Sequence, residues 1–142
     1  MKKLTCTLLC LCLLIGILSC SSNKSVSLTD SNKSLIKGSW ILLEENGIPV
    51  DRKQLKHYTE KNFIWHTMDK SNIIRVSAAG EYTIDGNKLL EFVEMTTLSS
   101  AHFKGNTAQI EIKIDNDTLF QSTVLPSSMQ ELDFTEKWLR LK

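Results

Sequence analysis

Cysteine is confined to the start of this 142-residue chain. The four cysteines are Cys6, Cys10, Cys12 and Cys20, and none follows them. This distribution excludes a disulfide within residues 21–142, and it also excludes a thiolate zinc site or a thiol nucleophile there. Packing and hydrogen bonding must therefore hold the rest of the chain together.

An excess of charge of one sign is also lacking. The chain has 17 basic and 16 acidic residues, for a formal net charge of +1. A chain that is close to neutral has no broad field to attract a polyanion. We therefore expect no nucleic-acid partner.

Motifs that mark a catalytic or metal centre are missing as well. The chain has no Gly-any-Ser-any-Gly elbow, no His-Glu-any-any-His and no phosphate-binding loop. The histidines, His57, His66 and His102, lack the close spacing of metal ligands, and we interpret them as surface residues. Residues 115–117 (Asp-Asn-Asp) lack the Gly and the distal Glu of an EF-hand loop, so we interpret them as a turn. We expect no enzyme activity, no metal and no cofactor.

One long apolar run is present, and it lies at the start of the chain. Lys2 and Lys3 precede the apolar residues 8–18, and Ser19 and Cys20 follow them. A positive region, a short apolar region and a small residue before the cut are typical of a secretory signal peptide. The run is about half as long as the roughly 20 residues that a spanning helix needs. We therefore predict a leader that is removed before Cys20.

The end of this leader, Ile17-Leu18-Ser19-Cys20, resembles the lipobox of bacterial lipoproteins. An aliphatic residue lies three positions before the cut and a small residue directly before it, while Leu18 is a looser match. The resemblance implies that the Cys20 thiol carries diacylglycerol. Since acyl chains contribute about 0.8 kcal/mol per buried methylene, such a chain would stay on a membrane. We expect an exported protein anchored in the bacterial cell envelope, with the outer membrane favoured; an ordinary leader with a chance cysteine is the alternative.

The leader is followed by a polar segment and then by enough chain for one domain. Residues 21–33 are rich in Ser and Asn and poor in large apolar residues, so they cannot bury enough surface to offset their ordering entropy. The remainder, about a hundred residues, suffices for one core and not for two. We predict a signal peptide over 1–19, a flexible tether over 20–34 and one domain over 35–142.

Strand-like alternation recurs through that domain. Asp85-Gly86-Asn87 is the clearest turn, because Gly after Asp accepts the positive φ of a tight hairpin. Between the first two strands, Asp51 as an N-cap predicts a short helical turn from Arg52 to Lys56 across one mouth of a barrel. The fold class is all-β, an eight-stranded antiparallel up-and-down barrel, because closure removes exposed strand edges. The predicted strands are 36–45, 61–68, 73–78, 81–85, 89–95, 107–114, 118–125 and 131–141.

The two ends of the domain resemble those of lipocalins. Gly38-Ser39-Trp40 matches the Gly-any-Trp signature of their first strand, and Arg140 matches the Arg near their end. From about Gly38 to Arg140 the chain is similar to small bacterial lipocalin-like domains of envelope lipoproteins. The resemblance implies that Trp40 closes the barrel floor and that Arg140 packs over it, a cation–π contact of roughly 0.5–2 kcal/mol. The Thr-Asp-Tyr motif, the disulfide and the C-terminal helix of full lipocalins are absent, and this domain is shorter.

The interior of an eight-stranded barrel can be filled by side chains or can hold one small ligand. Aromatic residues on strands could form a ligand wall or could be core. Glu91 lies among apolar neighbours on its strand, so inside the barrel it must be protonated or paired, with Arg75, Arg140 or a ligand as the partner. The candidate ligand-binding residues are Trp65, Tyr82, Glu91 and Gln121.

Two functions from different classes follow from this fold. The favoured hypothesis is a lipid-anchored, monomeric barrel that binds a small apolar ligand. The alternative is a lipoprotein with a filled barrel and no small-molecule ligand, which binds an envelope protein or a glycan. Exposed apolar residues in the loops 46–59 and 96–106 would favour this alternative.

Overall fold

A computed structural model describes residues 28–124 and 134–142, with side chains for 31–123 and 134–142. The leader, Cys20 and residues 125–133 lie outside the described residues. The described elements, in chain order, are α1 (Leu28–Ile36), β1 (Gly38–Glu45), β2 (Ile48–Pro49), β3 (Lys53–Tyr58), β4 (Asn62–Met68), β5 (Ile74–Asp85), β6 (Lys88–Thr96), a 3₁₀ helix (Leu98–Phe103), β7 (Thr107–Asp115), β8 (Thr118–Val124) and β9 (Phe134–Arg140).

The strands form one closed antiparallel barrel. Each long strand pairs with the next along the chain, and β1 also pairs with β9, where Trp40 lies opposite Arg140. The two-residue strand β2 folds back on the end of β1 and takes no part in closure. The predicted eight-stranded up-and-down barrel is confirmed.

Two of the predicted elements, one helical turn and one break between strands, are wrong. The predicted helical turn from Arg52 to Lys56 is instead the start of β3, which pairs with β1 on one side and β4 on the other. Hydrogen bonding to two neighbours outweighs a local capping signal. Strands 73–78 and 81–85 are one strand, β5, which continues through Gly80 with a register shift between Ala79 and Gly80. The two errors cancel in the count of eight.

The last part of the predicted tether is helical. Residues 28–34 belong to α1, which lies against the turn after β5, where the Asn32 amide donates a hydrogen bond of 2.8 Å to the Gly86 carbonyl. Ile36 at the end of α1 is fully buried in the core. Within the described residues, no helix combines the length and the apolar character needed to cross a membrane.

One end of the barrel is shut by the two residues that the lipocalin resemblance singles out. The Trp40 indole is fully buried and donates to the Ile36 carbonyl at 2.7 Å. The Arg140 guanidinium carbon lies 4.1 Å from the Trp40 ring centroid, and its Nη1 donates to the Lys37 carbonyl at 2.7 Å. Gly38 has φ +120, and a Cβ there would meet Arg140 Nη1 at 3.1 Å. A larger residue at position 38 would disturb this closure.

The core fills the half of the barrel next to this closed end. β1 begins and β9 ends at this closed end. The antiparallel order therefore places the β1–β3 connection, the β4–β5 turn and the 3₁₀ helix at the opposite end, which we call the mouth. The largest fully buried side chains are Trp40, Trp138, Tyr58, Ile36, Leu89 and Leu119.

Candidate ligand cavity

A cavity of about 200 Å³ opens at the mouth of the barrel. Trp65 on β4 and Phe103 in the 3₁₀ helix meet edge to face on one wall, with ring centroids 6.0 Å apart. Arg52 and Gln54 lie at the rim, where Arg52 Nε donates to Gln54 Oε1 at 3.0 Å and Arg52 Nη2 pairs with Glu45. The remaining apolar lining comes from Val93, Ala108, Ile110 and Phe134.

The floor of the cavity is polar and belongs to a buried network. Lys56 Nζ lies 3.4 Å from Glu91 Oε1 and donates to Gln121 Oε1 at 3.0 Å. The Tyr58 hydroxyl donates to Glu91 and accepts from Gln121 Nε2 at 3.1 Å. Lys56, Glu91 and Gln121 are each at most 5% exposed. These side chains satisfy one another, as a buried charge pair requires if it is not to be strongly destabilising.

Tyr58 stays a hydrogen-bond donor in this network. Burial raises the pKa of its hydroxyl well above the ordinary value, and the neighbouring Glu91 carboxylate raises that pKa further. A neutral phenol beside a carboxylate donates its proton into a hydrogen bond and keeps it. Tyr58 therefore keeps its hydrogen bond to Glu91 through the physiological pH range.

Glu136 differs from the other charged groups that line the cavity. It is 8% exposed, and its Oε2 accepts one hydrogen bond, from the Trp138 indole at 3.2 Å. Among the residues that the structure describes, no cation lies within ion-pair distance of Glu136. Burial raises the pKa of its carboxyl group, and Glu91 and Glu45 raise it further, while Lys56 acts in the opposite direction.

The candidate residues from the sequence occupy three different places. Trp65 lies in the cavity wall and Glu91 in its floor. Gln121 lies within the network and is not part of the cavity lining. Tyr82 lies away from the cavity, packed edge to face on Tyr58 with ring centroids 5.2 Å apart, and its hydroxyl donates to the Thr59 carbonyl. Tyr82 is a core residue.

Two of the three predicted partners of Glu91, the arginines Arg75 and Arg140, are wrong. Arg75 is exposed and pairs with Asp69 at 2.6 Å, and Arg140 lies at the closed end. Lys56 takes the role because β3 is a strand, and the strand alternation turns Lys56 into the barrel with Tyr58. The predicted helical turn over residues 52–56 does not place Lys56 on the same face as Tyr58.

Sequence reasoning also missed Glu136 and Phe103. Glu136 lies two residues before the core residue Trp138 on β9 and therefore shares its face, so alternation along the predicted strand 131–141 is the signal that could have found it. Phe103 lies in a segment that reads as a polar loop, and no periodic signal marks it as part of a wall. It reaches the cavity because the 3₁₀ helix folds over the mouth.

Other features of the described residues are less suited to a ligand. A larger depression of about 430 Å³ lies on the outer surface of β7, β8 and β9. Its lining has two large apolar side chains, Ile112 and Phe120, against six apolar side chains in the cavity at the mouth. Pockets that hold small ligands are predominantly apolar, with few polar groups. Among the described residues, no group of three or more His, Cys, Asp or Glu side chains is placed to hold a metal ion.

Solved structures with the same fold come from Bacteroides. The chain is similar to a lipocalin-like protein from Bacteroides uniformis, with a TM-score of 0.56 and 10% identity, over 75% of this chain and 98% of that one. An uncharacterised protein from Bacteroides eggerthii has a TM-score of 0.55 and 11% identity, over 75% of this chain and 99% of that one. The fold is lipocalin-like. No family model and no curated protein matches the chain.

Proposed function

We propose that this protein is a lipid-anchored lipoprotein of the bacterial cell envelope whose lipocalin-like barrel binds one small ligand at its mouth. The observation that carries the binding role is the cavity beside the Trp65 and Phe103 wall, above a floor of satisfied polar side chains. Export and anchoring are supported by the leader and the lipobox-like segment that ends at Cys20.

The size of the cavity limits the ligand. Drug-sized ligands occupy pockets of roughly 300–1,000 Å³, and an apolar cavity of about 150 Å³ suffices for benzene. At about 200 Å³, this cavity fits a single ring with a small substituent or a short branched chain. The aromatic and aliphatic walls would bury the apolar part of such a ligand, and the floor would meet its polar end. A long fatty acid is too large.

Blocking the cavity tests the proposal. Ala108 lines the cavity, and Ala108→Phe would fill much of it, whereas Ala101 is exposed on the 3₁₀ helix, so Ala101→Phe adds the same ring outside. Native mass spectrometry of the full chain, isolated from bacterial membranes and exposed to a small-molecule extract of the same cells, would measure any bound mass. We expect a bound mass in the wild type and in Ala101→Phe, and its loss in Ala108→Phe.

The same bound mass in all three proteins would place the ligand elsewhere. No added mass in any of them would favour the second candidate, a lipoprotein that binds another macromolecule. That candidate has one specific observation in its favour: Ile48 and Leu98, which flank the mouth, are 69% and 91% exposed. Exposed apolar side chains of this size can mark contact sites for a partner.

A further inference from the structure

The cavity contains one carboxylate, Glu136, that forms no ion pair with a cation of the described residues; Lys56 acts on it only from beyond ion-pair distance. Of the four charged side chains in its lining, Arg52 is paired with Glu45, and Lys56 is paired with Glu91. Glu136 has no ion-pair partner among the described residues and accepts a single hydrogen bond from Trp138. Glu136 therefore lacks a positively charged partner in this site.

From this missing ion pair, and building on the proposed function, we propose that the ligand is a small amine. It would bind as its ammonium ion, with the charged end on the Glu136 carboxylate and the apolar body against the wall formed by Trp65 and Phe103. A carboxylate that is nine-tenths buried gains most from a partner that is charged and donates hydrogen bonds. Glu136 lines the cavity and its Oε2 accepts from the indole, so Oε1 is the oxygen that would accept from the ammonium group.

The walls of the cavity also suit a cation. The faces of aromatic rings attract a positive charge, most strongly in indole. Trp65, Phe103 and Phe134 place three aromatic rings in the lining. Lys56 does not block this arrangement, because Glu91 lies 3.4 Å from its ammonium group and offsets its charge. Arg52 and Lys56 are each already paired with a carboxylate, which offsets the positive charge that they offer to an anionic ligand.

Three probes of the same shape and different charge test the proposal. Benzylamine is cationic at neutral pH, benzyl alcohol is neutral and benzoate is anionic, and each is one ring with one substituent. The full chain would be held in nanodiscs of zwitterionic lipid, and binding would be measured by isothermal titration calorimetry against empty nanodiscs. We expect benzylamine to bind about tenfold more tightly than benzyl alcohol, because a hydrogen bond to a charged group is stronger than a neutral one, and benzoate most weakly.

Glu136→Gln tests the role of the carboxylate. The amide keeps an oxygen that can accept from Trp138, and it removes the charge. We expect this variant to bind benzylamine about tenfold more weakly than the wild type and benzyl alcohol within about twofold of it. Glu111→Gln, which removes an exposed acid on β7, is the matched control and should leave all three affinities unchanged. Circular dichroism of each variant would show that the barrel is intact.

The failures of the two proposals can be told apart. If benzyl alcohol binds as tightly as benzylamine, or if Glu136→Gln leaves the benzylamine affinity unchanged, the amine proposal is overturned and the ligand cavity stands. If benzoate binds most tightly, the site selects anions and the amine proposal is again overturned. If none of the probes binds, the amine proposal is overturned, and the ligand cavity is overturned with it only if Ala108→Phe also leaves the bound mass in native mass spectrometry unchanged.

Discussion

At the scale of single residues, Lys56 and Glu136 are charged side chains buried inside the barrel. The Lys56 ammonium group contacts Glu91 and Gln121 and lies 5.2 Å from the Trp138 ring centroid, so its charge is met from several sides. Well-packed apolar residues in place of Lys56, Glu91 and Gln121 would make an equally stable core, since buried ion pairs seldom add net stability. Glu136 has less compensation still. Both observations agree with a site that serves binding more than stability.

The raised pKa of Glu136 predicts how stability depends on pH. A carboxyl group whose pKa is higher in the folded state than in the unfolded state contributes stability that is fully present below the unfolded value. That contribution is lost as the pH rises through the folded value. We therefore expect Glu136→Gln to be more stable than the wild type at neutral pH, with the advantage disappearing below the ordinary carboxyl pKa.

Urea unfolding at a series of pH values would measure this difference. Taking the difference between wild type and variant removes the contributions of exposed carboxylates such as Asp69 and Asp117, whose pKa values are lowered by hydrogen-bonded partners. The charged groups around Glu136 are Lys56, Glu91 and Glu45, with Arg52 at the same cavity. A difference that stays constant with pH would show that Glu136 titrates normally.

At the scale of elements, β5 is the strand that most constrains the barrel. It is the longest, with 12 residues, and it bends at a register shift beside Gly80. A Cβ at position 80 would lie 1.9 Å from the Phe92 carbonyl oxygen, so the two backbones approach more closely there than any other residue permits. Gly within a strand often marks such a close approach. Gly80 lies in the gap between the predicted strands 73–78 and 81–85, and it instead allows one strand to continue around the barrel.

Gly80→Ala should therefore be strongly destabilising. The methyl group can be accommodated only by moving the backbone of β5 or β6, and overpacking of this kind costs about 1–3 kcal/mol, occasionally more. Thermal unfolding followed by circular dichroism would measure the effect. Gly47→Asn is the control, because position 47 is open and Asn tolerates its positive φ, as Asn46 already does. Equal stability of both variants would contradict the close approach.

At the scale of the whole molecule, the two ends of the barrel differ. The described residues close one end, where the described chain begins, and they form the cavity at the other. Helix α1 lies beside the turn after β5, at the end closed by Trp40 and Arg140. The predicted lipid at Cys20 precedes α1 in the chain, and the cavity opens at the opposite end. The first described residues therefore lie at the end opposite the cavity.

Cys20→Ala tests the anchor. We expect the wild-type chain to partition into the detergent phase after membrane extraction and to carry the mass of its acyl groups, because each buried methylene contributes about 0.8 kcal/mol. The variant should lose both properties. Cys12→Ala, within the predicted leader, is the matched control and should change neither. A wild-type protein that is secreted without added mass would contradict the lipoprotein assignment.

The sequence by itself determined the features that depend on local pattern. Strand alternation and turn chemistry predicted an eight-stranded barrel, because a period of two and a Gly after Asp act over a few residues. The lipocalin resemblance predicts the contact between Trp40 and Arg140. Strand position and residue type indicate Trp65 and Glu91 as candidate ligand-binding residues. These are residues whose neighbours along the chain carry the signal.

Only the tertiary structure decided which polar groups meet. Lys56 and Glu91 are 35 positions apart, and Glu136 comes from the last strand, so their arrangement depends on which strands pair and in which register. Local signals misassigned residues 52–56 because hydrogen bonding to β1 and β4 outweighs a helix cap. Whether the barrel is filled or holds a cavity depends on how side chains from eight strands pack together, and no local pattern encodes that.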